Sequence, residues 1–303
     1  MRVQGSSFMV SAAPVIFVLL WSTGFIGAKL GLPHAEPFTF LTIRMLITLA
    51  ILAPVALIFV RPLPGLTPLL HSAVTGVLIH GCYLGGVFYA IGHGMPAGVS
   101  ALVVALQPLL TAFVARLLLG ERLLPVQAAG LVAGLFGVFL VLVPKLGGGS
   151  QAVAGLTHGN LVAVAIAVIG ISIGTVYQKR FAAGLDIRVG TAAQYAGALI
   201  PLAILSFTSE SRVVEWAPAF IFALVWLVLV LSIGAVGLLM YLIRNQSAAG
   251  TASLFYLVPA VTSIIAWFLF AETLQPVQLL GMAIVMGAVA LATRRGVKPV
   301  SAK

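Results

Sequence analysis

The sequence predicts an all-α integral membrane protein, ten transmembrane helices arranged as two inverted five-helix repeats. Three observations carry that prediction. Hydrophobic residues make up 61% of the 303 and charged ones only 7%, with a mean hydropathy of +1.19. A soluble domain needs about a quarter of its residues charged to solvate its surface, so lipid must be the solvent for most of these side chains. The apolar residues form continuous runs near the roughly 20 residues a membrane helix needs, not the ten-residue alternation of a barrel. The chain is also internally duplicated. Shifted by 151 positions, Ala97–Gly130 matches Ala248–Gly281 at 13 of 34 places, including Pro108 with Pro259, Thr111 with Thr262, Glu121 with Glu272, Pro125 with Pro276, Gln127 with Gln278 and Gly130 with Gly281.

The spans follow in order. Ala12–Leu32 lies behind Arg2 and could pass for a secretory signal, but it is too long and nine more spans follow, so it reads as a retained helix. Pro37–Val60 is next, closed by the turn-forming Arg61–Pro62–Leu63–Pro64–Gly65. Leu69–Gly92, Gly98–Leu119 and Pro125–Lys145 complete a first repeat, 12–145. The flexible run Gly147–Gln151 separates it from the second repeat, 157–295. That repeat comprises Thr157–Arg180, Val189–Phe207, Phe220–Leu242, Gly250–Ala271 and Pro276–Arg295.

Five spans per copy is an odd number, so the second copy crosses in the opposite sense, with its natural site at the midplane between the halves. Ser22, Gly24 and Lys29 align with Ser172, Gly174 and Lys179 at an offset of 150, which extends the repeat to the first span of each half. With a cytoplasmic N-terminus, twelve basic residues fall inside and three (Lys29, Lys145, Arg212) outside, with Arg44 within a span. Both termini are then cytoplasmic. The net charge of +10 is a topology signal, and no nucleic-acid partner is expected. Cys82 is the single cysteine, so no intrachain disulfide exists; it reads as a small packing residue.

The two five-span halves, Trp21–Ser22–x–Gly24–Phe25, the lysine closing the first span, Pro37–x–x–Phe40–x–x–x–Arg44, and the Gly-Glu and Ala-Glu ends before Pro125 and Pro276 resemble the drug/metabolite transporter superfamily, EamA type. Within it the chain looks most like the YddG-type exporters of aromatic and neutral amino acids. The resemblance implies ten helices, cytoplasmic termini, a bacterial inner-membrane location, alternating access, and a central cavity lined by the first, third, fourth, sixth, eighth and ninth spans.

Several residues stand out as site candidates. Pro108 and Pro259 interrupt equivalent spans and deprive the carbonyls of Val104 and Phe255 of helical partners. Such breaks line a cavity or form a hinge, or are packing kinks. His80 and Tyr83 share one helix face at membrane depth, where polarity is costly. The sister helix carries Leu231 and Gly234 there, so the fold does not demand the pair. Trp21, Gln107, Ser172 and Tyr256 could line the cavity or serve as packing contacts. Glu121 and Glu272 lie at helix ends, where structural locking onto the N–H groups that open the next helix is expected. Lys29 and Lys179 are expected to snorkel from helix ends. Arg44, about two turns into its span, needs a partner, and a structural or gating pair is expected for it.

Other patterns carry no chemistry. Gly170–Ile171–Ser172–Ile173–Gly174 has nucleophile-elbow spacing but sits in a continuous apolar helix. The five histidines lack metal-ligand spacing and no phosphate-cradling loop occurs, so neither metal, cofactor nor ATPase activity is expected. All six acidic residues lie at or beyond helix ends, which argues against export of cations through a buried carboxylate. Anionic substrates would want several buried cations, and only Arg44 is available. A neutral or zwitterionic molecule remains, with an apolar side chain that Tyr, Trp and His can stack upon. The expected function is therefore a secondary exporter of amino acids or similar metabolites, other drugs or metabolites such as nucleosides and sugars being the alternative. A membrane-embedded enzyme or a non-transporting subunit ranks lower, and no catalytic group is assigned. The simplest unit is a monomer in the bilayer.

Overall fold

A computed structural model of the chain describes residues 7–95, 100, 103–146, 157–270 and 275–292. Its elements are α1 (Ser7–Ser22), α2 (Gly24–Gly31), α3 (Pro37–Phe59), α4 (Leu66–Gly92), α5 (Gln107–Leu119), α6 (Pro125–Leu146), α7 (His158–Ala182), α8 (Ile187–Ser209), α9 (Pro218–Asn245), α10 (Ala248–Ser253), α11 (Leu257–Phe270) and α12 (Pro276–Ala292). No strand forms among the described residues; a single antiparallel bridge joins Ala35 to Val214.

Among the described residues seven helices are long and apolar enough to cross a membrane, and three shorter apolar ones, Ala12–Ala28, Gln107–Leu119 and Pro276–Ala292, accompany them. The sequence predicts ten full-length spans, and three of them are irregular along their described residues. The expected first span is broken at Thr23, where the Ser22 hydroxyl donates to Val18 O (2.7 Å) and the Thr23 hydroxyl to Leu20 O (2.6 Å). Side chains that bond back into the preceding turn compete with the helical ladder. In the fourth span the helix Gln107–Leu119 follows a turn in which Leu106 N–H donates to Val103 O at 3.1 Å. Its sequence counterpart tightens into a 3₁₀ turn at Leu254–Tyr256, ahead of Pro259. Both interruptions precede the equivalent prolines, which cannot donate to the ladder.

A third irregularity escaped the sequence. α7 closes with a short π-turn at Gln178–Ala182, and both α4 and α9 widen into π-helix mid-span, over Val77–Leu84 and Leu227–Ala235. The two mid-span π-segments coincide under the 151-residue shift, to within one residue. π-Bulges of this kind are frequent at functional sites.

Backbone ends are satisfied locally, as a membrane interior requires. Thr157, Asp186 and Ser247 cap their helices by accepting from Asn160 N (3.2 Å), Arg188 N (2.9 Å) and Gly250 N (2.9 Å). Glu210, across the chain, accepts from Phe38 N (2.7 Å) and Thr39 N (2.6 Å) at the start of α3. Gln127 and Gln278 do the same job at equivalent places. They accept from Leu124 N (2.8 Å) and Gln275 N (3.0 Å), and each side-chain amide reaches a carbonyl of the other helix, Ala292 and Val141.

Thus α6 and α12 pack along their lengths. Their glycines permit it: a Cβ on Gly281 would lie 2.7 Å from Gly137 O. Elsewhere α8 packs on α3 and α4, α7 on α4 and α5, α10 on α5, and α1 on α11 and the π-segment of α9. Phe59, Phe113, Leu117 and Phe268 are among the large apolar side chains left exposed around the rim. Lipid is the solvent that makes such exposure favourable.

Candidate functional site

A cavity of about 40 Å³ lies between the first, second, third and eighth predicted spans. Its lining comprises Trp21, Gly24, Ala28, Arg44, His80, Tyr83, Leu84, Val87, Phe88, Ile91, Leu227, Leu231 and Val236. Both π-segments reach it: His80, Tyr83 and Leu84 come from the first, Leu227 and Leu231 from the second. At this size it holds a few waters, not a metabolite. The lining runs from the level of Arg44 and His80 toward the end carrying the α2–α3 and α8–α9 links, with Ala28, Ile91 and Leu227 nearest that end.

Aromatic rings build one wall. Trp21 stacks on Tyr83 with centroids 6.4 Å apart and planes at 19°, and it meets Phe17 and Phe255 at 5.2 Å each. His80 stacks on Tyr195 at 4.6 Å, and neither of its buried ring nitrogens has a hydrogen-bond partner of good geometry. Arg44 is 2% exposed. Its Nε donates to Ser232 Oγ at 2.9 Å, and the Tyr195 hydroxyl donates to Ser232 O at 3.1 Å. So α3, α8 and the π-segment of α9 meet at one polar junction beneath the cavity.

His80, Tyr83, Trp21 and Arg44 are brought together here. The other sequence candidates lie elsewhere. Ser172 donates to Gln107 O at 3.4 Å, while Ser22, its repeat partner, donates to Val258 O at the same distance. Each serine therefore ties its helix to the carbonyl just before an interrupting proline, Pro108 or Pro259. The Gln107 amide is buried without a partner, as is the Tyr256 hydroxyl, and the Tyr256 ring occupies the space a Cβ on Gly134 would need. Among the lining residues none comes from the fourth, sixth or ninth span, in contrast to what the family resemblance implies, because those side chains are consumed by helix packing. Arg44, expected to form a structural or gating pair, is bonded to Ser232 and has no acidic partner among the described residues. Phe88, Val87, Ile91 and Leu84 were missed, although they continue the His80/Tyr83 face at helical spacing.

The opposite end is bound shut. Glu121 Oε1 lies 3.1 Å from Lys179 Nζ and accepts from Ala248 N at 3.2 Å. Lys179 also donates to Gln246 O, and Arg180 to Leu118 O. Glu121 therefore does cap a helix start, but that of α10; the next helix, α6, already has Gln127. Lys179 is ion-paired instead of snorkelling. Glu272 and the side chain of Lys29 lie outside the described residues. At the cavity end the links are joined by Glu36, which accepts from Ser211 N (2.7 Å), Ser211 Oγ (2.7 Å) and Arg212 N (3.1 Å). These bonds, the serine hydroxyl's first, hold its carboxyl below the usual carboxylate range. No group of three metal-ligating side chains occurs among the described residues.

With this geometry established, comparison with known proteins decides the family. The model of the EamA-like transporter family matches twice, over residues 8–143 and 159–294. The chain belongs to the EamA-like transporter family. This EamA-like chain is 27% identical over 275 residues to the "Uncharacterized inner membrane transporter YedA" of Escherichia coli strain K12, covering 91% of this chain and 87% of that protein. It is 28% identical over 283 residues to the "Probable amino-acid metabolite efflux pump" of Salmonella typhimurium, covering 90% of each. A solved crystal structure of a protein of unstated function superposes with a TM-score of 0.76, covering 93% of this chain and 96% of that one. At 23% identity that likeness shows the fold alone.

Proposed function

We propose that the chain is a secondary transporter that exports neutral or zwitterionic amino acids, aromatic ones foremost, across the bacterial inner membrane by alternating access. It has ten spans in two inverted five-helix repeats, residues 12–145 and 157–295, with both termini cytoplasmic. One observation carries the reading. The two π-widened segments fall at matching places in the repeats and meet at a single buried, aromatic-walled cavity containing His80, Tyr83, Trp21 and Arg44. Breaks at matching positions of inverted copies are where transporters of this architecture hold substrate.

The asymmetry of the two ends supports alternation. The cavity extends toward one end, while the other is tied by Glu121, Lys179 and Arg180. A cavity of about 40 Å³ must enlarge to admit a metabolite, so loading requires helix movement. Glu272, Lys29 and Ala97 are the repeat equivalents of Glu121, Lys179 and Ala248 in the sequence. Two relatives, one named an inner membrane transporter and one a probable amino-acid metabolite efflux pump, favour the same location and substrate class. Reporter fusions at Lys303 should be active on the cytoplasmic side only. The decisive test is counterflow in proteoliposomes with labelled phenylalanine, leucine, a nucleoside and a sugar, with and without a pH gradient. Amino-acid flux above protein-free liposomes is expected. Flux of the nucleoside or sugar alone would replace the substrate assignment, and no flux of any would contradict transport of these classes.

A further inference from the structure

The cavity contains one cation and no anion. Arg44 is buried, and its Nε is fixed by Ser232. All five described acidic residues are engaged elsewhere. Glu36 holds Ser211 and Arg212, Glu121 holds Lys179, Asp186 holds Arg188, Glu210 holds Phe38 and Thr39, and Glu215 lies 3.1 Å from His34. A guanidinium withdrawn from water without a counter-charge is costly, and a carboxylate brought to it removes that cost. Clamping Nε fixes the plane of the fork on a side chain that lines the cavity, an arrangement that suits an oxyanion.

We infer that Arg44 is the carboxylate anchor of the cavity, so that the transported class is defined by a carboxylate, and that the substrate amine has no ionic partner there. This rests on the reading of the cavity as the transport site. It departs from the structural or gating pair expected from sequence, because the pair is completed by the cargo. Tyr195 and Ser232 act as positioning residues: they hold the guanidinium and do not touch substrate.

The test compares acids with their own amides, with and without an amine: phenylalanine against phenylalaninamide, and 3-phenylpropionate against 3-phenylpropionamide. Binding to the purified full-length protein is measured by calorimetry. Each acid is expected to bind at least about tenfold more tightly than its amide, the effect of leaving a buried charge unpaired. Arg44→Gln should erase that preference, and Arg44→Lys should retain part of it as a point charge without the fork. If Arg44→Gln does not fold, the wild-type comparison and Arg44→Lys decide. If phenylalanine and phenylalaninamide bind equally, the inference falls while the amino-acid reading stands. If phenylpropionate outcompetes its amide and phenylalanine does not bind, the amino-acid reading falls while the anchor stands. A panel in which no acid outcompetes its amide, or a folded Arg44→Gln that keeps the preference, overturns the inference.

Discussion

Replacing Tyr83 by alanine isolates the aromatic wall of the cavity. The ring is 3% exposed, stands over Trp21 at 6.4 Å, and borders the cavity beside His80. Its removal deletes one face on which a substrate side chain can pack. An aromatic pair is worth about 0.5–1.5 kcal/mol beyond the area it buries. Taking about 1 kcal/mol, the half-saturation concentration for an aromatic amino acid should rise roughly fivefold. Tyr83→Phe keeps the ring and should stay within about twofold of wild type, because only the hydroxyl is lost. The side chain borders a cavity, so folding should survive both changes. The assay is counterflow in proteoliposomes at varied external phenylalanine, with the melting temperature of the same preparations measured alongside. An unchanged half-saturation concentration in a well-folded Tyr83→Ala refutes the reasoning. So does a loss of flux that only tracks a loss of folded protein.

Three further outcomes are expected. Glu121→Gln and Lys179→Gln should be coupled by about 0.5–1 kcal/mol in a double-mutant cycle of thermal stability, since both groups are only partly exposed; strict additivity would deny the tie. Gly281→Val should depress the melting temperature and yield by forcing a side chain onto Gly137 O, whereas Gly287→Ala, with open space around its Cβ, should be neutral or stabilising by up to about 1 kcal/mol; equal behaviour would contradict the close α6–α12 contact. Glu36 titrates below the usual carboxylate range in the folded chain, so its contribution is present above about pH 4 and is lost as pH falls further. Glu36→Gln should therefore flatten the acid limb of melting temperature against pH, and an unaltered limb would count against it.

Much of the architecture was legible because lipid leaves few choices. Continuous apolar runs could only be helices, and the boundaries of α3, α4, α8 and α9 fall within about three residues of those expected. The Glu121, Gln127 and Gly281 repeats were legible as positions but not as contacts. Glu121 caps α10 and not α6, a long-range choice made because Gln127 already occupies the α6 start. The break at Thr23 and the two π-segments were illegible, since Ser, Thr and Leu at those places also suit an unbroken helix. In the site, His80 and Tyr83 were found through the cost of polarity at depth. The apolar lining was not, because Leu231 looked like proof of a dispensable position, although it faces the same cavity. Ser172 reaches Gln107 O and the Tyr256 ring fills the space beside Gly134, contacts that only the neighbouring helices reveal, while the Gln107 amide and the Tyr256 hydroxyl stay buried without partners.

The central claim is that substrate occupies the cavity between the two π-segments. Substrate protection of a cysteine placed there tests it most directly. Val87 is 4% exposed and lines the cavity, while Leu63 lies exposed in the α3–α4 link. In a Cys82→Ser background, Val87→Cys and Leu63→Cys are labelled by a small thiol reagent with and without phenylalanine. At about ten times its dissociation constant, phenylalanine should slow labelling of Val87→Cys roughly tenfold, in proportion to occupancy, and leave Leu63→Cys unchanged. Labelling of Val87→Cys that is indifferent to a phenylalanine concentration saturating for flux would place the substrate elsewhere and contradict the account.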